Sequence, residues 1–137
     1  MPLTAIVLAA GEGTRMKSRH PKIVHKLLDK PLVWWSVNAA ITAGAERVIV
    51  VVGNHADEVK SALSCFPNLE YVAQTERLGT GHAVKVVKDA LGGFKGPVVV
   101  INGDASLLRA QSILDLVAET KAHHNACTVL TMTPPDP

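Results

Sequence analysis

Leu3-Thr4-Ala5-Ile6-Val7-Leu8-Ala9-Ala10-Gly11-Glu12-Gly13-Thr14-Arg15-Met16-Lys17-Ser18 passes from an apolar stretch straight into a glycine-spaced, basic one. Leu3–Leu8 reads as a buried strand, and the glycines after it let backbone N–H groups approach phosphate oxygens with no Cβ in the way. Two familiar phosphate-binding templates nearly fit, and both fail at Met16. A Walker A loop would need glycine there before Lys17-Ser18, and a G-x-G-x-x-G dinucleotide fingerprint would need its third glycine there. Pro21 interrupts the helix that either template requires. The dinucleotide reading also wants an acid after the second strand, which instead closes with Val51-Val52-Gly53-Asn54. Neither template is supported, and a turn with no ligand stands beside a phosphate-binding loop of another kind.

Working outward, β-rich apolar runs recur at Arg47–Val52, Leu69–Ala73, Pro97–Ile101 and Ala126–Met132. Segments of helical period separate them. Val33, Val37, Ala40 and Ile41 mark the first, with Pro31 suited to its opening turn and Gly44 as its stop. Ala56, Val59 and Leu63 mark the second; Ala83, Val87, Ala90 and Leu91 the third, closed by Gly92-Gly93; Ala110, Ile113, Leu114 and Val117 the fourth. Strands alternating with helices predict an α/β fold: a mainly parallel sheet with helices on both faces, a three-layer Rossmann-like arrangement. No internal repeat or low-complexity segment interrupts it. One connection is long: the 20 residues from Gly11 to Lys30 have no clear period, where about 2–6 are usual. In open α/β sheets ligands bind beyond the carboxyl ends of the strands, and this loop leaves the first strand at that edge.

Charge agrees with that placement. Of 14 Lys and Arg in 137 residues, Arg15, Lys17, Arg19, Lys22 and Lys26 fall between positions 15 and 26, where chance would put about one. The rest of the chain carries more acidic than basic residues, so no basic surface extends the patch toward a nucleic-acid partner. A local anion such as a phosphate chain is the better partner. Hydrophobic residues make up 47% of the chain, enough for one core. The longest apolar runs, Ala5–Ala10 and Val48–Val52, fall far short of the ~20 residues of a membrane span. The first residues carry no basic secretory segment. Cys65 and Cys127 have no C-x-x-C spacing and read as reduced thiols. A cytoplasmic protein with no membrane partner is the expectation.

Three blocks carry a resemblance. Leu8-Ala9-Ala10-Gly11-x-Gly13-Thr14-Arg15-Met16 followed by Pro21-Lys22, then Gln74 with Leu78-Gly79-Thr80-Gly81-His82-Ala83, then Gly103-Asp104 after an apolar strand, together resemble the sugar-phosphate nucleotidyltransferases. Within that family the likeness is to the uridylyltransferase (pyrophosphorylase) domain of the bifunctional bacterial enzymes that make UDP-N-acetylglucosamine, a cell-wall (peptidoglycan) precursor, and it runs the whole chain. The resemblance implies the nucleotide-diphospho-sugar transferase fold, and transfer of UMP from UTP to N-acetylglucosamine 1-phosphate with Mg²⁺. It implies catalytic roles for Arg15 and Lys22, on phosphate oxygens and the α-phosphate. It assigns uracil and ribose recognition to Gln74, Gly79 and Thr80 with the backbone of Leu8, Ala9, Ala10 and Gly11, a place in the same loop to Gly13, and the metal to Asp104. In-line attack by an acceptor that is already an anion needs no strong base, so positioning, cations and metal should supply the catalysis.

Plainer roles stand beside these. Asp104 suits the N-cap of a helix near 106–118, and Thr80 the N-cap of the helix it opens. Trp34 and Trp35 point about 100° apart on a helix, so one belongs to the core and neither signals base stacking. The six histidines show no zinc spacing. The chain departs from the family pattern at Ser106, where proline is usual. Other readings are a nucleotidyltransferase for a different base or acceptor, or a non-catalytic nucleotide-binding module. The family continues past Pro137 with a Gly-Tyr-Gly stretch, sugar contacts, a second metal-ligating Asn and an acetyltransferase domain. These 137 residues are therefore expected to be the nucleotide-binding part of a C-terminally truncated domain. Low turnover and self-association through an exposed fifth strand are expected with it.

Overall fold

The computed structural model describes residues 2–11, 24–76, 78–131 and 133. Its first strand, β1 (Leu3–Ala9), is buried on both faces along nearly its whole length, as a central parallel strand must be. The chain next forms a two-stranded antiparallel hairpin, β2 (Lys26–Leu27) and β3 (Lys30–Pro31), and enters helix α1 (Leu32–Thr42). Strand β4 (Ala45–Val52), helix α2 (Ala56–Ala62) and strand β5 (Leu69–Ala73) follow. Then come helices α3 (Thr80–Lys85) and α4 (Lys88–Leu91), strand β6 (Val98–Asn102) and helix α5 (Ala110–Ala122).

Among the described residues the main sheet has four strands in the order β5-β4-β1-β6, every neighbouring pair parallel. Helices cover both faces, which confirms the Rossmann-like α/β expectation. On one face Ala5, Val7, Val50, Val52, Val99 and Ile101 pack against Val33 and Val37 of α1, Val59 of α2 and Ile113 of α5. On the other, Ile6, Ile49 and Val51 meet Ala83 of α3 and Val87 at the head of α4. The helical stripes read from spacing run along the buried faces, because period 3.6 puts those positions on one side, but Ile41 and Leu114 at the stripe margins are exposed. Gly44 ends α1 as expected: at φ +91° it reaches a conformation that L side chains avoid, and its N–H returns to the Ile41 carbonyl at 3.0 Å.

Four local expectations need correction. Ala126–Met132 is not a strand: residues 126–131 have no regular structure, and Val129 and Leu130 are exposed. A strand needs a ladder partner, whereas this segment is tied back to α5 by the Thr128 and Thr120 hydroxyls at 2.8 Å, with Thr128 donating because the Thr120 proton goes to the Leu116 carbonyl. The single helix expected over 83–91 is two short ones, broken at the β-branched pair Val86-Val87. Pro31 is the residue before α1 rather than its first turn. The last part of the long connection, expected without structure, folds into the β2–β3 hairpin. Its turn residues Leu28 and Asp29 both have positive φ (51° and 67°), the backbone of a type I′ turn. Leu-Asp is not a sequence signal for that turn.

Candidate functional site

Parallel register sets the candidate residues among those described on one edge. Ala9 pairs with Val52, Val52 with Ala73, and Leu8 with Asn102, so the four strands end together. Beyond those ends lie Ala10-Gly11, Gly53, Gln74 and Gly103-Asp104. Strand order reverses at β1: β4 and β5 lie to one side of it and β6 to the other. The crevice outside the ends of β1 and β6 is thus the topological switch point, the usual ligand position in open α/β sheets.

The floor of that crevice is tightly built. The Gly103 N–H donates to the Leu8 carbonyl at 2.9 Å, locking the exit of β6 to that of β1. Ala9 and Ala10 are buried, while Gly11 is exposed, with none of the described residues within 4 Å of where its Cβ would stand. Gly53 closes the other side. A Cβ there would sit 3.0 Å from the Ala10 carbonyl oxygen, so a larger residue would press on the chain after β1.

Asp104 follows β6 through Asn102 and Gly103 and is exposed at the crevice edge. It is not a helix cap: α5 begins at Ala110 with Arg109 as the capping residue. The turn after Asp104 is closed by the Ser106 N–H donating to the Asp104 carbonyl at 2.8 Å, a donor that proline at this position would lack. Ser36, fully buried on α1, donates its hydroxyl to the Asn102 carbonyl at 3.0 Å and the Gly103 carbonyl at 3.1 Å. Sequence reading missed Ser36. Its signal was a lone hydroxyl three residues on from Val33 within an otherwise apolar helix stripe.

At the far end of the edge Gln74 continues β5, its N–H donating to the Val52 carbonyl at 2.7 Å. The side chain is buried. Its Nε2 donates to the Gly79 carbonyl at 3.3 Å and lies 2.9 Å from His82 Nδ1. Gly79, at φ +98°, caps α3, and Thr80 is that helix's first residue rather than its cap. Both are exposed. Of the candidate residues, Gly13, Arg15 and Lys22 lie outside the described residues. Those described come together at the edge: Leu8, Ala9, Ala10 and Gly11 at its centre, Gln74, Gly79 and Thr80 at one end, Asp104 at the other.

The donor set sets limits on a metal. Among the described residues no group of three or more His, Cys, Asp or Glu could hold one. A single exposed carboxylate fits only a hard cation that arrives with phosphate oxygens, which is how Mg²⁺ is commonly bound. The two tryptophans take no part. Trp34 packs against the core and Phe66, and Trp35 Nε1 donates to the Leu27 carbonyl at 2.9 Å, holding the β2–β3 hairpin on α1. No helix among the described residues is long and apolar enough to cross a membrane.

A family model described as the MobA-like NTP transferase domain matches residues 5–134. The chain belongs to that family. Among curated relatives, the bifunctional protein GlmU of a Cyanothece species is 46% identical over 131 residues, covering 96% of this chain and 29% of that protein. The protein of the same name from Acaryochloris marina is 43% identical over 135 residues, covering 98% of this chain and 30% of that protein. These relatives bear out the resemblance carried by the three sequence blocks, and the chain spans less than a third of their length. Solved structures agree on the fold of the NTP transferase domain. A nucleotidyl transferase from a Methanothermobacter species superposes with a TM-score of 0.74 at 22% identity, covering 85% of this chain and 57% of that one. A Mycobacterium tuberculosis protein, Rv0371c, in a complex with manganese, superposes with a TM-score of 0.73 at 20% identity, covering 89% and 61%.

Proposed function

We propose that this chain is the nucleotide-binding part of a uridylyltransferase, which transfers UMP from UTP to N-acetylglucosamine 1-phosphate and so makes UDP-N-acetylglucosamine for cell-wall precursors in the cytoplasm. The observation that carries the reading is the single edge holding Gln74 at one end and Asp104 at the other, with the Ala10-Gly11 exit between them. The two strands that bear these residues stand three strand spacings apart, roughly 14 Å, a length that suits a base at one end and a phosphate chain at the other. Curated relatives named GlmU, matched over nearly the whole chain, support the same substrates.

The chemistry needs little beyond placement. A phosphate oxygen of the sugar phosphate attacks the α-phosphorus of UTP. One P–O bond forms as the bond to the bridging oxygen breaks, and pyrophosphate leaves. The attacking oxygen carries no proton to remove. Gln74, Gly79 and Thr80 hold uracil and ribose, and the Leu8–Gly11 backbone follows the nucleotide to the crevice. Arg15 forks onto outer phosphate oxygens, with Gly13 in the same loop leaving room for them, and Lys22 places a charge on the α-phosphate. Asp104 is the residue that would hold Mg²⁺, and the ion would supply positive charge against the charge that builds on the phosphate oxygens. Self-association is part of the reading, though the expected fifth strand is absent over 126–131 and its place is taken by β6, an edge strand among the described residues on which Val98 and Val100 are exposed.

Calorimetry with UTP, with and without Mg²⁺, tests the binding half. Wild type should bind more tightly with the ion, and Asp104→Ala should erase that difference. An unchanged Mg²⁺ dependence in the variant overturns the metal assignment. Pyrophosphate release measured with the four NTPs against a panel of sugar 1-phosphates tests the transfer half on the protein's own terms, with light scattering alongside. Preference for another base or acceptor overturns the substrate reading.

A further inference from the structure

His82 lies on α3 two residues into the helix, and nothing in the reading above gives it a task. Its Nδ1 is 2.9 Å from the Nε2 of Gln74, a side chain only 5% exposed. The direction of that contact follows from the other partner. The Gly79 carbonyl, 3.3 Å from the same nitrogen, can only accept, so the amide group of Gln74 turns its NH₂ toward Gly79. One amide hydrogen goes to Gly79. The second meets His82 Nδ1, which must then carry a lone pair, leaving the ring proton on Nε2. With both hydrogens engaged, the one hydrogen-bonding function Gln74 has left is the acceptor Oε1.

We propose that His82, as the Nε2-protonated neutral imidazole, is a positioning residue that holds the Gln74 amide so that Oε1 faces the nucleobase, selecting a base that presents a ring N–H over one that presents a ring-nitrogen lone pair. This rests on the reading of Gln74 as a base contact. Uracil offers an imide N–H to such an acceptor, whereas the corresponding ring nitrogen of cytosine offers a lone pair, which Oε1 repels. A Gln74 amide held only by the long Gly79 contact would leave its second hydrogen buried without a partner, and the side chain would turn to find one. Discrimination by a site polar group depends on that group's being held in one orientation.

Dissociation constants for UTP and CTP, measured on wild type, His82→Leu and His82→Asn, separate the possibilities. Inorganic tripolyphosphate serves as a probe of the phosphate end alone. In His82→Leu the UTP-over-CTP ratio should fall about tenfold, the worth of roughly one hydrogen bond, while tripolyphosphate binding stays as in wild type. Asn at this position carries an acceptor oxygen close to where Nδ1 stands, and should restore most of the ratio. The ¹⁵N spectrum of the His82 ring in the free wild-type protein should show a bare Nδ1. A ratio retained in His82→Leu, or a protonated Nδ1, overturns the proposal and leaves Gln74 as a base contact. Equal binding of UTP and CTP by wild type overturns the Gln74 reading and this inference with it.

Discussion

The Ser36 hydroxyl donates to the carbonyl of Asn102, 66 residues further along the chain, at 3.0 Å in a part-buried setting. This bond joins the helix after β1 to the last residue of β6, and its second acceptor, the Gly103 carbonyl, adjoins Asp104. Ser36→Ala removes the one hydroxyl proton that the Asn102 and Gly103 carbonyls share, while the Asn102 carbonyl keeps the Ala105 N–H at 3.1 Å. It should cost about 1–3 kcal/mol of stability, read as a lowered urea midpoint with an unchanged slope. Mg²⁺-dependent UTP binding should weaken more than Mg²⁺-free binding, because the turn that sets Asp104 loses its anchor. Equal weakening of both would show that Ser36 supports the fold alone.

Gly53 and Ala10 meet where the exits of β4 and β1 are closest. Gly53→Ala places a methyl 3.0 Å from the Ala10 carbonyl oxygen, a backbone atom that would have to shift by a few tenths of an ångström. Overpacking of this kind costs roughly 1–3 kcal/mol. Stability and UTP affinity should fall together, since the strain is relieved only by moving the Ala10-Gly11 exit. Loss of stability with full UTP affinity would separate that exit from the nucleotide site.

Arg15 and Lys22 belong to the basic loop, beyond the described residues. Arg15→Ala and Lys22→Ala should each lower UTP affinity by roughly 1.5–3 kcal/mol, the usual worth of a hydrogen bond to a charged group, with the unfolding midpoint unchanged. UMP should lose less than UTP in Arg15→Ala if Arg15 serves the outer phosphates. Titration with both nucleotides decides it, and equal losses would remove Arg15 from that position.

Arg47 on β4 and Glu70 on β5 form a two-pronged pair, with Arg47 Nη2 donating to Glu70 Oε1 at 2.8 Å, and Arg47 also donates to the Ala90 carbonyl. The guanidinium holds the Glu70 carboxyl below its usual range, and the carboxylate raises Arg47. A lowered folded value means that the pair's stabilisation is complete above the ordinary carboxyl value of 4.5 and fades as pH falls through the lower folded one. Both side chains are substantially exposed (32% and 45%), so the pair contributes about 0.2–1 kcal/mol. Thermal midpoints from pH 7 downward should show Arg47→Ala less stable than wild type, with the gap narrowing below 4.5. Part of it should persist, because the Ala90 carbonyl does not titrate. A gap constant with pH would mean that Glu70 adds nothing.

Much of the fold was legible because its signals are local. The apolar runs at 3–8, 47–52 and 69–73 are strands, and the stripes through Val33, Val59 and Ile113 are the buried helix faces. Legibility failed where a local pattern needed a distant partner. Val129 and Leu130 have strand composition but no ladder, and the Leu28-Asp29 turn is held by Trp35 rather than by turn residues of its own. The candidate residues were legible as motifs, yet their supports were not. Ser36, Gly53 and His82 act through contacts with Asn102, Ala10 and Gln74 that no spacing along the chain announces.

By itself the sequence determined the alternation of strands and helices, the basic loop after the first strand, and the motif blocks that place the chain among NTP transferases. Those features depend on period, glycine spacing and charge, which neighbouring residues settle between themselves. Only the tertiary structure decided that the sheet reverses its order at β1, and that Ala10, Gln74 and Asp104 share one edge. Strand pairing is a competition among all apolar strands for the same backbone hydrogen bonds, won by the arrangement that buries both faces together. The outcome therefore belongs to the whole chain, and the site exists where that competition brings the strand ends together.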